Sequence, residues 1–146
     1  MNRRLIIGAL ALALLIATVA LAGGDAYVGT YKGTAVLLYE MPTYGSSMTY
    51  NGTAEVTITK QSDESYRVQS LTNFEGMPEA EDAMTYKYQG GALTYSDSAD
   101  EMGVMVEQSG KLTLSGSDLT GTVTMIGKLD GQIQTKSTTT YSVKKQ

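Results

Sequence analysis

Tyrosines, methionines and acidic residues are the side chains in this sequence that could carry chemistry. The chain of 146 residues has ten tyrosines, eight methionines and 15 acidic residues, but no histidine and no cysteine. Histidine is the commonest general base and metal ligand, and cysteine supplies thiol nucleophiles, zinc thiolates and disulfides. No motif marks a lysine or carboxylate base in their place. We therefore expect a protein that is not an enzyme and that needs no cofactor.

Two groups of residues have the chemistry of metal ligands without the spacing. Met102 and Met105 could offer thioethers to Cu(I), but side chains three apart on a strand point to opposite faces. The carboxylates at residues 79–82 and 97–101 do not follow the spacing of a calcium-binding loop. We expect no metal site: methionines that fill gaps in a core and acids that solvate a surface explain both groups. A site for calcium or a cationic partner is the alternative.

The first 22 residues have the pattern of a secretory signal peptide. Two arginines precede an uncharged apolar run at residues 5–21, and Ala20 and Ala22 form the small-x-small pattern that signal peptidase recognises. An uncleaved anchor helix is the alternative, because the run is near the lower length limit for crossing a bilayer. Gly24 stands where a lipoprotein would carry its cysteine. We therefore expect a secreted or periplasmic protein that is not lipidated and has no membrane span after cleavage.

Cleavage would leave one acidic domain of residues 23–146. Loss of Arg3 and Arg4 takes the basic residues from 11 to 9 against 15 acidic ones, which gives a net charge of −6. Acidic residues are densest between Glu75 and Glu107. An acidic surface repels phosphate backbones, so we expect no nucleic-acid partner.

Apolar and polar residues alternate with period two along this domain, which is typical of β-strands. The pairs Gly90-Gly91 and Asp130-Gly131 indicate tight hairpin turns, and Asn51-Gly52 is interpreted as another. The acidic segments 75–82 and 97–101 are interpreted as loops. From residue 102 to 115 the pattern fits either one strand bulged at Gly110 or two strands.

The expected fold is all-β, with eight or nine antiparallel strands joined by short turns. Such a meander most simply closes into an up-and-down barrel, because closure removes exposed strand edges. A β-sandwich is the second choice. An outer-membrane barrel is disfavoured, because the outward faces are polar where lipid requires an apolar band.

Five short motifs lie in the predicted strands. They are Gly29-Thr30-Tyr31-Lys32-Gly33-Thr34, Val56-Thr57-Ile58-Thr59-Lys60, Tyr66-x-Val68, Asn73-Phe74 and Leu119-Thr120-Gly121-Thr122-Val123. The chain resembles, in these motifs, the secreted calycin-like or lipocalin-like β-barrels of bacteria, notably of Bacteroidetes. The resemblance implies a barrel whose interior can bind a ligand, and it carries over no catalytic residue. Two features depart from true lipocalins: Tyr31 stands where tryptophan is usual, and no disulfide can form.

Tyrosine dominates the predicted inward face. The inward tyrosines are Tyr27, Tyr31, Tyr39, Tyr66, Tyr86, Tyr88, Tyr95 and Tyr141. Each buried hydroxyl needs a partner, because an unpaired one costs about 1–3 kcal/mol. A barrel mouth ringed by phenols would satisfy that need and would suit a small apolar or amphipathic ligand. The predicted ligand-binding residues are Tyr39, Met84, Tyr86, Tyr88 and Tyr95.

A barrel packed solid is the alternative interpretation. An eight-stranded barrel is just wide enough to be filled by side chains, and tyrosines are large. Such a protein would be a structural or interaction module that acts through its acidic segments, with a protein partner of unknown identity. Small residues in the inward phase either accommodate the tyrosines or leave a cavity. They are Gly29, Gly33, Ala35, Gly121, Ser137 and Thr139.

Overall fold

The structure, a computed structural model, describes residues 23–146 as one closed antiparallel barrel. Each strand pairs with its neighbour in sequence, and the first strand pairs with the last. The strands are β1 (Gly29–Met41), β2 (Ser46–Ser62), β3 (Ser65–Phe74), β4 (Ala80–Gln89), β5 (Ala92–Glu101), β6 (Val104–Ser115), β7 (Asp118–Leu129) and β8 (Gln132–Lys145). The predicted all-β, up-and-down barrel is confirmed. The predicted signal peptide and its alternative, an anchor helix, lie outside the described residues.

The period-two pattern places one face of every strand inside the barrel. Val56 of β2, for example, lies opposite both Tyr31 of β1 and Ser70 of β3. Residues directly opposite each other on antiparallel strands lie on the same face of the sheet. The register therefore determines which residues of each strand point into the barrel. The most deeply buried large side chains are Tyr31, Val56, Ile58, Leu93, Leu112 and Leu119.

One end of the barrel, here called the plugged end, is closed by a 3-10 helix at Gly24–Tyr27. Tyr27 is 3% exposed. Its hydroxyl donates to the Gly91 carbonyl (2.8 Å) and accepts from the Leu114 backbone N–H (3.1 Å). The helix thereby joins the turn between β4 and β5 to the end of β6. The alternation pattern predicts that the first strand begins at Tyr27, which is wrong: Tyr27 ends this helix, and β1 begins at Gly29.

An ionic contact also holds the helix in the plugged end. The Asp25 carboxylate accepts a hydrogen bond from the Tyr66 hydroxyl (2.6 Å) and pairs with the Lys60 ammonium (3.0 Å). These bonds, the Tyr66 bond first, lower the pKa of the Asp25 carboxyl. Burial, followed by the bond to Asp25, raises the pKa of Tyr66 to about 12.

The opposite end, here called the open end, carries four turns and fewer buried side chains. Its turns are the 3-10 helix Pro42–Tyr44 with Gly45, residues 75–79, residues 102–103 and residues 130–131. None of the helices among residues 23–146 has the length and apolar character needed to cross a membrane.

β4 and β5 pair along a short part of their length. Three residue pairs join them, from Lys87 opposite Thr94 to Gln89 opposite Ala92, all near the plugged end. Toward the open end, residues 80–86 of β4 and 95–101 of β5 face each other without a backbone ladder. We call these two stretches the seam. Its surface groove is lined by Thr85, Lys87, Gln89, Thr94, Tyr95, Ser96 and Asp97.

Several expected boundaries are corrected by the structure. Asn51-Gly52 is not a turn, because β2 runs through it and the chain reverses at the Pro42–Tyr44 helix. Residues 97–101 belong to β5, and of the acidic segment 75–82 the last three residues belong to β4. The residues on either side of Gly110 form a single strand, with no break in register at that glycine.

Two apolar residues are exposed although the alternation pattern predicts that they point inward. Met102 lies in the β5–β6 turn with φ 55° and is fully exposed. Ile133 is 38% exposed, because the register between β7 and β8 shifts next to it, between Gly127 and Lys128. The hairpin turns at Gly90-Gly91 and Asp130-Gly131 are confirmed, and all four of these residues have positive φ.

Candidate ligand cavity

A cavity of about 210 Å³ occupies the open half of the barrel. Its walls come from β1, β3, β4, β6, β7 and β8, and Met77 and Pro78 of the β3–β4 turn border its outer side. A second cavity of about 30 Å³ lies deeper. The two share Ser70, Asp82, Met84, Val123 and Tyr141 in their walls. The barrel is therefore packed at its plugged end and hollow at its open end.

The walls of the larger cavity combine eight apolar residues with seven polar ones. The apolar side chains include Leu37, Phe74, Met84, Val123 and Met125. The polar side chains are Ser70, Thr72, Asp82, Gln108, Ser137, Thr139 and Tyr141. Small-molecule sites likewise combine apolar walls with polar groups that orient the ligand.

The small inward residues explain where the cavity lies. A side chain at Gly33 would collide with the Ser142 carbonyl, and one at Gly121 would collide with the Lys111 carbonyl. These glycines therefore allow neighbouring strands to approach closely, and they leave no space. Ser137 and Thr139 of β8, in contrast, face the cavity. The interior is therefore closely packed beside Gly33 and Gly121 and hollow beside Ser137 and Thr139.

Asp82 brings a carboxylate to the cavity wall. It lies opposite Ser70 of β3, in the inward phase of β4 and within the seam. Its Oδ1 accepts a hydrogen bond from the Ala83 N–H (2.9 Å). Asp97, on the other side of the seam, accepts a bond from the Ser98 N–H in the same way (2.8 Å).

Three tyrosines around the cavity remain uncharged well above neutral pH. Burial is the main cause that raises the pKa of Tyr86, Tyr95 and Tyr141. The negative charge of Asp82 adds to the rise at all three. These phenols can therefore donate hydrogen bonds, while the charge of the site comes from carboxylates.

The structure brings together three of the five predicted ligand-binding residues. Met84 lines both cavities, and Tyr86, which is 2% exposed, lines the deeper one. The Tyr95 ring is 5.6 Å from that of Tyr86, and its hydroxyl donates to Gln108 Oε1 (3.1 Å). Tyr95 also borders the seam groove.

The other two predicted residues lie elsewhere. Tyr88 packs at the plugged end, where its ring stands edge-on to that of Tyr27 at 6.1 Å. Tyr39 is half-buried near the open end of β1, opposite Ser137, and it does not line the larger cavity. A direct ligand contact at any of the five remains a prediction.

Most tyrosine hydroxyls of the plugged end bond to the protein itself. Tyr31, which is fully buried, donates to the Tyr27 carbonyl (2.8 Å). Tyr27 and Tyr66 bond to the backbone and to Asp25, as described above. Tyrosines therefore stabilise the plugged end of the barrel as well as lining the cavity.

The sequence interpretation assigns Asp82 to an acidic loop, whereas it is a solvent-exposed residue of β4 that borders the cavity. The alternation of Met84, Tyr86 and Tyr88, extended by two residues toward the amino terminus, places Asp82 on the same face. The signal was present, but the acidic composition of the segment outweighed it. Among residues 23–146 no three acidic side chains converge in a way that could hold a metal ion.

The fold and the cavity define a class of protein: a small closed antiparallel barrel of eight strands, consistent with a calycin-like fold, whose interior is hollow at one end. No protein family matches the chain, and no curated protein is significantly similar to it in sequence.

Proposed function

We propose that this protein is an exported binding protein that holds one small apolar or amphipathic molecule inside its barrel. The interior cavity of about 210 Å³ carries the proposal. An engineered cavity of about 150 Å³ is known to hold benzene, so this one suits a ligand of about eight to ten non-hydrogen atoms. The proposal includes descent from the calycin-like barrels, which the motifs of β1 to β3 and β7 resemble.

The arrangement of the two ends supports this function. Hydrogen bonds and the Asp25–Lys60 ion pair hold the plugged end, while the cavity borders the turn that carries Met77 and Pro78. A ligand can therefore enter from the open end without disturbing the core. We propose no catalytic step, and binding is the whole activity.

The test is a titration that compares two threonines next to each other on β8. Thr139 lines the cavity, whereas Thr140 is exposed on the outer surface. Thr139→Phe would fill the cavity, and Thr140→Phe would add the same side chain outside it. We expect 2-phenylethanol, followed by isothermal titration calorimetry, to bind the wild type and Thr140→Phe alike and to bind Thr139→Phe at least about tenfold more weakly.

Two results would contradict the proposal. One is equal binding to both phenylalanine variants, provided that near-UV circular dichroism shows Thr139→Phe to be folded. The other is no binding to the wild type, which would favour the interaction module that acts through its acidic surface. The protein should be taken from the exported fraction of expressing cells, where its intact mass tests cleavage after Ala22.

A further inference from the structure

We propose that the cavity selects an amphipathic cation: a small apolar or aromatic body that carries one protonated amine. The inference rests on the proposed binding function and names the class of ligand for the same cavity. The ammonium group would pair with the carboxylate of Asp82, and the apolar body would lie against Met84 and Val123.

The first argument is the distribution of charge between the two ends of the barrel. In the open half, the inward-phase positions of β4 and β5 carry Asp82, Asp97 and Glu101, all three of them solvent-exposed. The inward lysines, Lys60 and Lys145, lie at the plugged end. Both are engaged there, Lys60 with Asp25 and Lys145 with the Ala26 carbonyl (3.2 Å). The fixed charges of these strands at the open end are therefore negative, which disfavours an anionic ligand.

The second argument is that Asp82 has no cationic partner among the described residues. The four ion pairs found in residues 23–146 use the carboxylates of Asp25, Glu55, Glu107 and Asp118. An ionised carboxylate accepts about four hydrogen bonds, and the Ala83 N–H provides one. Asp82 thus keeps most of its acceptor capacity for a ligand in the cavity that it lines.

The surrounding aromatic residues favour an organic cation. Tyr86 and Tyr95 lie with ring centroids 5.6 Å apart, and Tyr86 and Tyr141 line the deeper cavity. Aromatic faces attract ammonium groups within about 6 Å of the ring centre. Neutral phenols and one carboxylate together complement an ammonium group on an aromatic or aliphatic body.

A metal ion fits the site less well than an amine does. Calcium takes about six to eight oxygen ligands, whereas Asp82 offers a single carboxylate in a wall that is mostly apolar. No group of three acidic side chains in the described part of the chain converges to supply more. The site therefore suits an organic cation with an apolar body better than it suits a metal ion.

The test uses three probes that share a phenyl body: 2-phenylethylamine, 2-phenylethanol and phenylacetate. Calorimetry at neutral pH compares them on the wild type, on Asp82→Asn and on Glu81→Gln. Asparagine keeps the shape of Asp82 and its acceptor for the Ala83 N–H. Glu81→Gln removes the same charge from the neighbouring residue, which is exposed on the outer face opposite Leu71.

We expect the wild type to bind the amine about tenfold more tightly than the alcohol, and phenylacetate most weakly. Asp82→Asn should weaken the amine about tenfold and change the alcohol less than about twofold. Glu81→Gln should leave the order and the spacing of the three probes unchanged, because its charge lies outside the cavity.

The outcomes separate the two proposals. Tight binding of the alcohol with no preference for the amine would overturn the charge selection and keep the proposed function. An equal loss of amine binding in Asp82→Asn and Glu81→Gln would also overturn it, because the cause would then be net charge and not the Asp82 carboxylate. Binding of none of the probes would overturn the proposed function and the inference together.

Discussion

Replacing Tyr27 with phenylalanine tests how the barrel is closed at its plugged end. The substitution keeps the aromatic ring that packs against Tyr88, but it removes the hydroxyl that bonds to both Gly91 and Leu114. Tyr27 is 3% exposed, but its two partners are only partly shielded from water, since Gly91 lies in an exposed turn and Leu114 is half-buried. A backbone carbonyl and a backbone N–H would each lose a partner.

The size of the effect follows from these two groups. A fully buried polar group without a partner costs about 1–3 kcal/mol, and because water reaches these two groups in part, we expect a total of about 1–2 kcal/mol. The unfolding entropy is about 2.1 cal/mol/K per residue, which gives about 0.26 kcal/mol/K for residues 23–146. We therefore expect the Tm of Tyr27→Phe to fall by about 4–8 °C.

Thermal unfolding followed by far-UV circular dichroism measures this fall. The matched control is Tyr44→Phe, because Tyr44 is 80% exposed in the turn before β2. That variant should unfold within about 1 °C of the wild type. A Tm for Tyr27→Phe within about 2 °C of that of the control would refute the assignment of the Tyr27 hydroxyl as the bond that holds the plug.

Three further predictions concern packing and titration. Gly110→Ala should lower the free energy of unfolding, measured by urea denaturation, by about 1–3 kcal/mol, because its methyl group would collide with the Tyr86 hydroxyl. The double variant with Tyr86→Phe should recover part of this loss, because it removes that hydroxyl. Asp25→Asn should destabilise the protein at neutral pH, because it removes the carboxylate that bonds to Tyr66 and Lys60. These bonds lower the pKa of Asp25, and their contribution disappears once the carboxyl is protonated. The difference in urea midpoint between the variant and the wild type should therefore shrink as the pH falls below 3.8. Stability should also fall as the pH rises from 10 through about 12, because burial raises the pKa of Tyr66 in the folded state; a urea midpoint that stays flat across this interval would contradict that assignment.

The barrel was predictable because its signals are local and repeated. Alternation places Tyr31, Val56 and Leu112 on one face wherever the strand boundaries fall, so errors at the ends of strands do not change the fold. The glycine pairs at hairpins are equally local, because positive φ at both positions selects the turn.

Asn51-Gly52 failed as a turn signal for a physical reason. A side chain at Gly52 would collide with the Asn73 carbonyl, so the glycine allows β3 to lie close beside β2 where the two strands pair. Close approach and a tight turn both require glycine, and a single sequence does not distinguish them. β2 therefore continues through Asn51-Gly52, and the chain reverses direction earlier, at Gly45, whose φ is 61°.

The candidate site was less predictable, because a cavity depends on which small residues are crowded by neighbouring backbone. Gly33 and Gly121 look like gaps in the sequence, but backbone fills the space beside them. Ser137 and Thr139, which share the inward phase with these glycines, border the hollow half instead. That distinction follows from strand register around the whole barrel, which short-range patterns do not contain.

The plug and the seam are two parts of one closure. All three residue pairs between β4 and β5 lie beside the turn whose Gly91 carbonyl accepts the Tyr27 hydrogen bond. The Tyr88 N–H also bonds to the Glu64 carbonyl at this end (2.9 Å), which ties β4 to the β2–β3 turn. Because β4 and β5 have no ladder farther along, the plug holds the point at which the wall closes between these two strands. The contacts that hold this end therefore leave β4 and β5 unpaired toward the open end, where the cavity lies.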